Sequence, residues 1–282
     1  MKVIRSVHQM AARARRLQRQ GKRIGVVPTM GALHEGHASL IRAAAAHNDV
    51  TIVTIFVNPL QFGPREDAAR YPSQLAQDAR CAAAAGATLV FAPRVSEIYP
   101  PGFQTRLVPG PLGDRWEGRA RPGHFSGVAT VVAILFDLTR PTDAYFGQKD
   151  YQQARIITQL IRDLGLPIRT HLLPTVREPD GLAMSSRNAY LNPAQRAQAA
   201  VLSAALQRLR ARIRAGSRRV TPLLAEARAL IAAQALVRLD YLAIVDAQTL
   251  EPIRSVRGRT AILVAAWVGR TRLIDNILVD VS

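Results

Sequence analysis

Short apolar runs alternate with longer stretches of helical spacing through the first two thirds of the chain. The runs lie at 24–27, 50–57, 89–92, 144–146 and 168–173, and the helical stretches at 38–46, 75–85, 128–138 and 152–164. Strands and helices in strict alternation predict a parallel sheet with helices on both faces, an α/β fold of Rossmann-like type. In such a sheet ligands bind beyond the carboxyl ends of the strands, where the strand order reverses. Four polar or glycine-bearing loops fall there: the stretch after Val27, Asn58-Pro59-Leu60-Gln61-Phe62, Phe146-Gly147-Gln148-Lys149-Asp150, and Pro174-Thr175-Val176-Arg177-Glu178.

The pattern changes after Pro179-Asp180-Gly181, a strong turn signal. Asn192-Pro193-Ala194-Gln195 predicts the start of a long helix, with an Asn cap, proline at the first helical position and Gln reaching back. Thr221-Pro222 predicts the start of another, and strands are expected at 241–245, 261–268 and 273–278. Two domains are therefore expected. Residues 1–176 form a Rossmann-like domain, and residues 177–282 a smaller α+β domain.

The first loop carries the densest chemistry. Val26-Val27-Pro28-Thr29-Met30-Gly31-Ala32-Leu33-His34-Glu35-Gly36-His37 runs from a strand through two glycines and two histidines into the helix-like Ala38-Ser39-Leu40-Ile41-Arg42-Ala43. N–H groups at a helix start, together with the helix dipole, favour an anion at such a corner. His34 and His37, three apart, emerge on one side of the turn. The zinc-protease pattern His-Glu-x-x-His needs one more residue between its ligands, and no third ligand lies nearby. A lone His-x-x-His also suits a solvated loop. Gly31 and Gly36 favour the anion site, because they remove side chains where backbone turns sharply or approaches a ligand. Neither a dinucleotide fingerprint nor a Walker loop follows the strand.

Gly147-Gln148-Lys149-Asp150 has the same form, a strand end opening into a helix. Lys149 is one of only three lysines among 38 basic residues, and a flexible ammonium suits a phosphate whose charge shifts during reaction. Gln61 and Gln153 are neutral groups able to hydrogen-bond a small hydroxylated substrate. Gly181-Leu182-Ala183-Met184-Ser185-Ser186-Arg187-Asn188 adds two hydroxyls and a guanidinium that can wrap phosphate oxygens. Paired with the histidine corner, this loop resembles those with which class I nucleotidylyl transferases hold ATP.

Composition narrows the reading. No apolar run approaches the roughly 18–20 residues that span a membrane. The N-terminal stretch with Arg13, Arg15, Arg16 and Arg19 lacks the apolar block of a secretory signal and is expected to form a surface helix. Cys81 is the only cysteine, which excludes an intrachain disulfide and suits a reducing cytoplasm. The net charge of +18 invites nucleic acid as a partner. Its distribution argues against specific recognition. The densest cluster, Arg208, Arg210, Arg212, Arg214, Arg218 and Arg219, fans around a helix with the core stripe Leu202, Leu206, Leu209 and Ile213, and no aromatics interleave. Non-specific affinity for polyanions is the expectation.

Across nearly its full length the chain resembles the pantoate–β-alanine ligase family. The matching segments are Val27 to His37, Ile55-Phe56-Val57-Asn58-Pro59-Leu60-Gln61-Phe62, Arg121-Pro122-Gly123-His124-Phe125-Ser126-Gly127-Val128, Phe146 to Gln153, Asp180 to Asn188, and Thr271-Arg272-Leu273-Ile274-Asp275-Asn276. The resemblance implies a nucleotidylyltransferase-type fold and an enzyme that adenylates the carboxylate of (R)-pantoate with ATP. The amine of β-alanine then attacks pantoyl adenylate. It further implies that Met30, Gly31, Ala32, Leu33, His34, Glu35, Gly36 and His37 meet ATP, with His37 the candidate acid. Gly147, Gln148, Asp150, Val176 and Met184 would complete the nucleotide site, and Lys149, Ser185, Ser186 and Arg187 would bind the triphosphate. Gln61 and Gln153 would hold pantoate, Gln61 also serving β-alanine, with Met30 and Val131 on the apolar side. Magnesium would bridge phosphate oxygens, with Asp78 an outer partner. The smaller domain would act as a lid that keeps water from the acyl adenylate, and the enzyme would be a cytoplasmic homodimer.

The chain departs from the family pattern at Ser73 and Ile134, each of which replaces a cation. Another transferase of this fold, acting on a phosphorylated substrate, would carry cations where Gln61 and Gln153 stand. A basic nucleic-acid-binding protein that kept the fold would bind RNA in a salt-sensitive way without turning over ATP.

Overall fold

The structure, a computed structural model, describes residues 1–63 and 74–281. Ser73 therefore lies outside the described residues. The chain divides into two compact units, Met1–Gly147 with Gln152–Pro174, and Gln148–Tyr151 with Thr175–Ser282.

In the first unit, β1 (Lys2–Ile4), β2 (Ile24–Thr29), β3 (Val50–Ile55), β4 (Leu89–Phe91), β5 (Asp143–Gly147) and β6 (Arg169–Leu173) form one parallel sheet in the order β1-β4-β3-β2-β5-β6. The order reverses between β2 and β5, so the loop after β2 opens at the switch point. Successive strand residues face opposite sides, and here both sides are apolar. Val26, Ile52 and Ala144 enter one core with Met10, Val128 and Ile157, while Val27, Val53 and Tyr145 enter another with Ile41, Ala44 and Ala82. The helices are α1 (Val7–Arg19), α2 (Glu35–His47), α3 (Leu75–Ala84), α4 (Val95–Ile98), α5 (Gly110–Asp114), α6 (Glu117–Ala120), α7 (His124–Thr139) and α8 (Tyr151–Asp163). Residues of α1, α7 and α8 pack on the first core and those of α2 and α3 on the second, as the alternating pattern predicts. The Arg-rich N-terminal stretch is α1, buried only along Met10, Ala14 and Leu17.

The second unit pairs β7 (Val237–Asp246), β8 (Gly258–Val268) and β9 (Thr271–Val281) as an antiparallel sheet, with α9 (Pro193–Ala199), α10 (Val201–Arg214) and α11 (Val220–Ala232). The cap at Asn192 forms as expected: its side chain accepts from Gln195 N at 2.8 Å, and Gln195 accepts from Asn192 N at 3.1 Å. The single long helix expected there is two helices meeting at Ala200. The helix expected from Thr221-Pro222 is α11. Arg219 holds its cap position, and Pro222 falls in the first turn, where a missing N–H costs nothing. The stripe Leu202, Leu206, Leu209 and Ile213 is fully buried, each side chain contributing about 1.5–3 kcal/mol.

The short segment Gln148–Tyr151 belongs to this unit, although the sequence reading keeps it within residues 1–176. Chain continuity suggests the first assignment; hydrogen bonds decide the second. The Tyr151 hydroxyl donates to Ala247 O at 2.7 Å, and Asn276 on β9 donates to the carbonyls of Gln148 and Lys149.

Candidate active site

The corner after β2 is built by its own side chains before any ligand is considered. Asp78, buried on α3, accepts the N–H of Ala32 through Oδ2 at 3.1 Å and that of Leu33 through Oδ1 at 2.8 Å. Gly31 sits directly over this carboxylate at φ +95°, and a Cβ there would stand 2.9 Å from Asp78 Oδ2. Ala32 follows at φ 50°, a left-handed conformation that costs a non-glycine residue and persists only when its surroundings enforce it. Both oxygens of Asp78 thus serve the loop. Among the described residues no group of three or more His, Cys, Asp or Glu side chains is arranged to hold a metal ion.

The two histidines cap α2. Gly36 N donates to His34 Nδ1 at 3.1 Å, His34 N donates to His37 Nδ1 at 3.3 Å, and the rings lie 4.2 Å apart. An imidazole that accepts at Nδ1 carries its proton on Nε2, so both rings present an Nε2–H donor at the head of a helix. Gly36 is required by this cap, because a Cβ would come within 2.9 Å of the His34 ring. The close approach inferred for this glycine is to the protein's own histidine. Glu35 is exposed and pairs with Arg42.

Gln61 ends the 3-10 turn Pro59–Gln61 and is nearly buried. Its Nε2 lies 2.9 Å from Met30 Sδ, so the structure brings these two residues together. Asn58 Nδ2 donates to Gln61 Oε1 at 3.1 Å and to Gly127 O at 3.0 Å, while Asn58 Oδ1 accepts from the Tyr99 hydroxyl at 2.7 Å. Burial pushes the Tyr99 hydroxyl up, so it stays a neutral donor. The Gln61 carbonyl lies 2.8 Å from His124 Nδ1 and accepts from Arg121 at 3.3 Å. Asn58, Tyr99, Arg121 and His124 received no role from the sequence. The signal for Asn58 was present, since Asn-Pro opens a turn as cap and first residue. Val131 is buried on α7, and Ile134 packs against the same core. Gln153 is half-buried on α8. Its neighbour Gln152 is structural, donating to Leu112 O and Arg115 O at 2.7 and 2.8 Å.

In the second unit Lys149 lies in the 3-10 turn Gln148–Asp150, with its ammonium 3.6 Å from Asp150. Val176 and Met184 are joined by a backbone hydrogen bond of 3.0 Å, which folds 176–184 back on itself. Ser185 caps the turn Ser186–Tyr190 by accepting from Arg187 N at 3.3 Å. Asn188 anchors that turn, donating to Glu178 Oε1 at 2.7 Å and to Ala183 O at 3.1 Å. Ser185, Ser186 and Arg187 are all partly exposed, and Gly147 ends β5 in the first unit.

The comparisons agree with this architecture. The family model for pantoate–β-alanine ligase matches residues 2–278. The pantothenate synthetase of Moorella thermoacetica is 50% identical over 282 residues, covering 100% of this chain and 99% of that one. The crystal structure of pantothenate synthetase from Thermus thermophilus superposes with a TM-score of 0.93 at 46% identity, over 98% of this chain and 99% of that one. A pantoate–β-alanine ligase from Francisella tularensis, solved in complex with β-γ ATP and β-alanine, superposes with a TM-score of 0.80 at 35% identity, over 99% and 97% of the two chains. Matched in this way over nearly its whole length, the chain belongs to the pantoate–β-alanine ligase family of carbon–nitrogen ligases.

Proposed function

We propose that this chain joins (R)-pantoate to β-alanine in two steps at the expense of ATP. A carboxylate oxygen of pantoate attacks the α-phosphorus, pyrophosphate leaves, and pantoyl adenylate forms. The β-alanine amine then attacks the acyl carbon, AMP leaves with the bond electrons, and the amine gives up a proton to yield pantothenate. The observation that carries this reading is the histidine-capped corner at the switch point, whose two rings each accept a backbone N–H at Nδ1 and so carry their proton on Nε2. Such donors, set before the reaction begins, stabilise charge that grows on phosphate oxygens.

His34 and His37 meet the phosphates of ATP, with His37 the candidate acid. Lys149, Ser185, Ser186 and Arg187 bind the triphosphate, and Gly147, Gln148, Asp150, Val176 and Met184 hold adenosine. Gln61 and Gln153 orient pantoate by hydrogen bonds, with Met30 and Val131 against its methyl groups. A neutral pair of glutamines suits an uncharged diol end better than a phosphorylated substrate. Magnesium would accompany ATP and help to neutralise the charge of its phosphates. The enzyme works as a homodimer in the cytoplasm, a compartment that its single cysteine suits.

The test is pantoate-dependent exchange of labelled pyrophosphate into ATP without β-alanine. Exchange is the expected result. Folded protein that makes pantothenate without any such exchange would rule out the adenylate.

A further inference from the structure

One matched motif has no role in the chemistry above: Asp275-Asn276, in the middle of β9. Asp275 lies in the same alternating row as Leu273, Ile277 and Val279, which belong to the second unit's apolar core, and is only 4% exposed. A charge in that row costs desolvation that an apolar residue would avoid, so packing alone does not explain it. Its partner is Arg177, whose two terminal nitrogens donate to Asp275 Oδ2 at 2.6 Å and Oδ1 at 2.9 Å. The same guanidinium donates to Gly181 O at 3.1 Å and Ser203 Oγ at 3.3 Å. Asp275 therefore fixes the guanidinium that braces, through Gly181 O, the fold-back leading into Ser185, Ser186 and Arg187.

Asn276, next along the strand, is also buried. Its Nδ2 donates to Gln148 O and to Lys149 O, each at 2.8 Å, and its Oδ1 accepts from Gln148 Nε2 at 3.3 Å. Its own N–H donates to Asp275 Oδ1 at 2.7 Å. A two-residue step on one strand thus ties the main chain under Lys149 to the loop that carries the serines and Arg187.

We propose that Asp275 and Asn276 are positioning residues of the adenylation step, Asn276 acting through Lys149 and Asp275 acting through Arg177 on the 185–187 loop. The proposal rests on the reading of Lys149 and Arg187 as triphosphate ligands. Neither Asp275 nor Asn276 touches substrate. Their effect is to make strand β9 the common mount of the cationic groups.

A double-mutant cycle in the full-length chain tests it, with kcat and KM of pantoate-dependent exchange as the readout. Asn276→Ala is expected to lower kcat on the order of 10- to 100-fold, the cost of displacing a transition-state group by about 1 Å, with KM for pantoate within about twofold. In a Lys149→Ala background the same change should cost less than about threefold, because the group it positions is gone. Asn276→Ser, which keeps a short donor in place, should recover part of kcat. Losses that multiply in the double variant would overturn the proposal while leaving Lys149 a phosphate ligand. No loss of exchange in Lys149→Ala alone would instead overturn the underlying reading and the proposal with it. If Asn276→Ala does not fold, Asp275→Asn in a cycle with Arg187→Ala poses the same question.

Discussion

Asp78 offers the sharpest test of how the histidine corner is built. Its carboxylate holds the N–H groups of Ala32 and Leu33 at 3.1 and 2.8 Å in a buried setting, beneath Gly31. Asp78→Ala strips both donors of their acceptor, at about 1–3 kcal/mol each, so the chain should lose about 2–6 kcal/mol. Asp78→Asn keeps one carbonyl oxygen for one N–H but sets an NH2 against the other, for about half that loss. Ala32 at φ 50° holds its conformation only while those bonds are made, so in both variants the loop relaxes and His34 leaves its cap position. Urea unfolding measures the first effect and pantoate-dependent pyrophosphate exchange the second, the latter run across a magnesium titration. Exchange should fall on the order of 10- to 100-fold through misplacement of the donors. The magnesium concentration for half-maximal exchange should not move. Wild-type stability in Asp78→Asn together with a raised magnesium requirement would refute the bracing role and make Asp78 a metal partner after all.

Other perturbations address single contacts. Gly36→Ala drives a Cβ to within 2.9 Å of the His34 ring. It should cut exchange while circular dichroism and the urea midpoint change little, and normal exchange would mean that the His34 cap is dispensable. Lys149→Ala should lower kcat far more than it raises KM for ATP, since its charge is needed most in the transition state. Unchanged kcat with a raised KM would make Lys149 a uniform binder. Burial pushes the Asp143 carboxyl up, but hydrogen bonds from Arg169, His171 and Thr142 outweigh it and hold the group below the usual range. With the folded value below the unfolded value of about 3.9, Asp143 stabilises the chain above that pH and stops doing so as pH falls through the folded value. The urea midpoint of the wild type should therefore drop more steeply below about pH 4 than that of Asp143→Asn. Parallel curves would contradict the assignment.

The sheet interior was legible because its strands are buried on both faces and read as unbroken apolar runs. β1 was not: three residues at a sheet edge, Lys2–Ile4, carry too little pattern to stand out. The break at Ala200 was hidden because α9 and α10 share good helix formers and no proline or glycine marks the joint. At the site, residue types and glycine positions pointed to the corner after β2. What occupies the space over the glycines did not follow from spacing. The carboxylate under Gly31 comes from α3, 46 residues beyond its partner Ala32, and local pattern carries no record of such a bond.

Lys149 shows why this gap matters for function. By sequence it lies two residues after β5 and belongs with the first sheet, since peptide connectivity is the only neighbour relation a sequence displays. Its main chain is instead held by Asn276, 127 residues away, with two donated hydrogen bonds from one buried amide. Buried amides seldom leave donors unmet, so Asn276 and the Gln148–Lys149 carbonyls specify one another. A cation whose backbone is fixed by a distant strand responds to substitutions in that strand, and not only to those around β5. Variation at Asp275 or Asn276 should then reach the chemistry as strongly as variation beside Lys149 itself, in residues that a scan of the strand-end loops passes over.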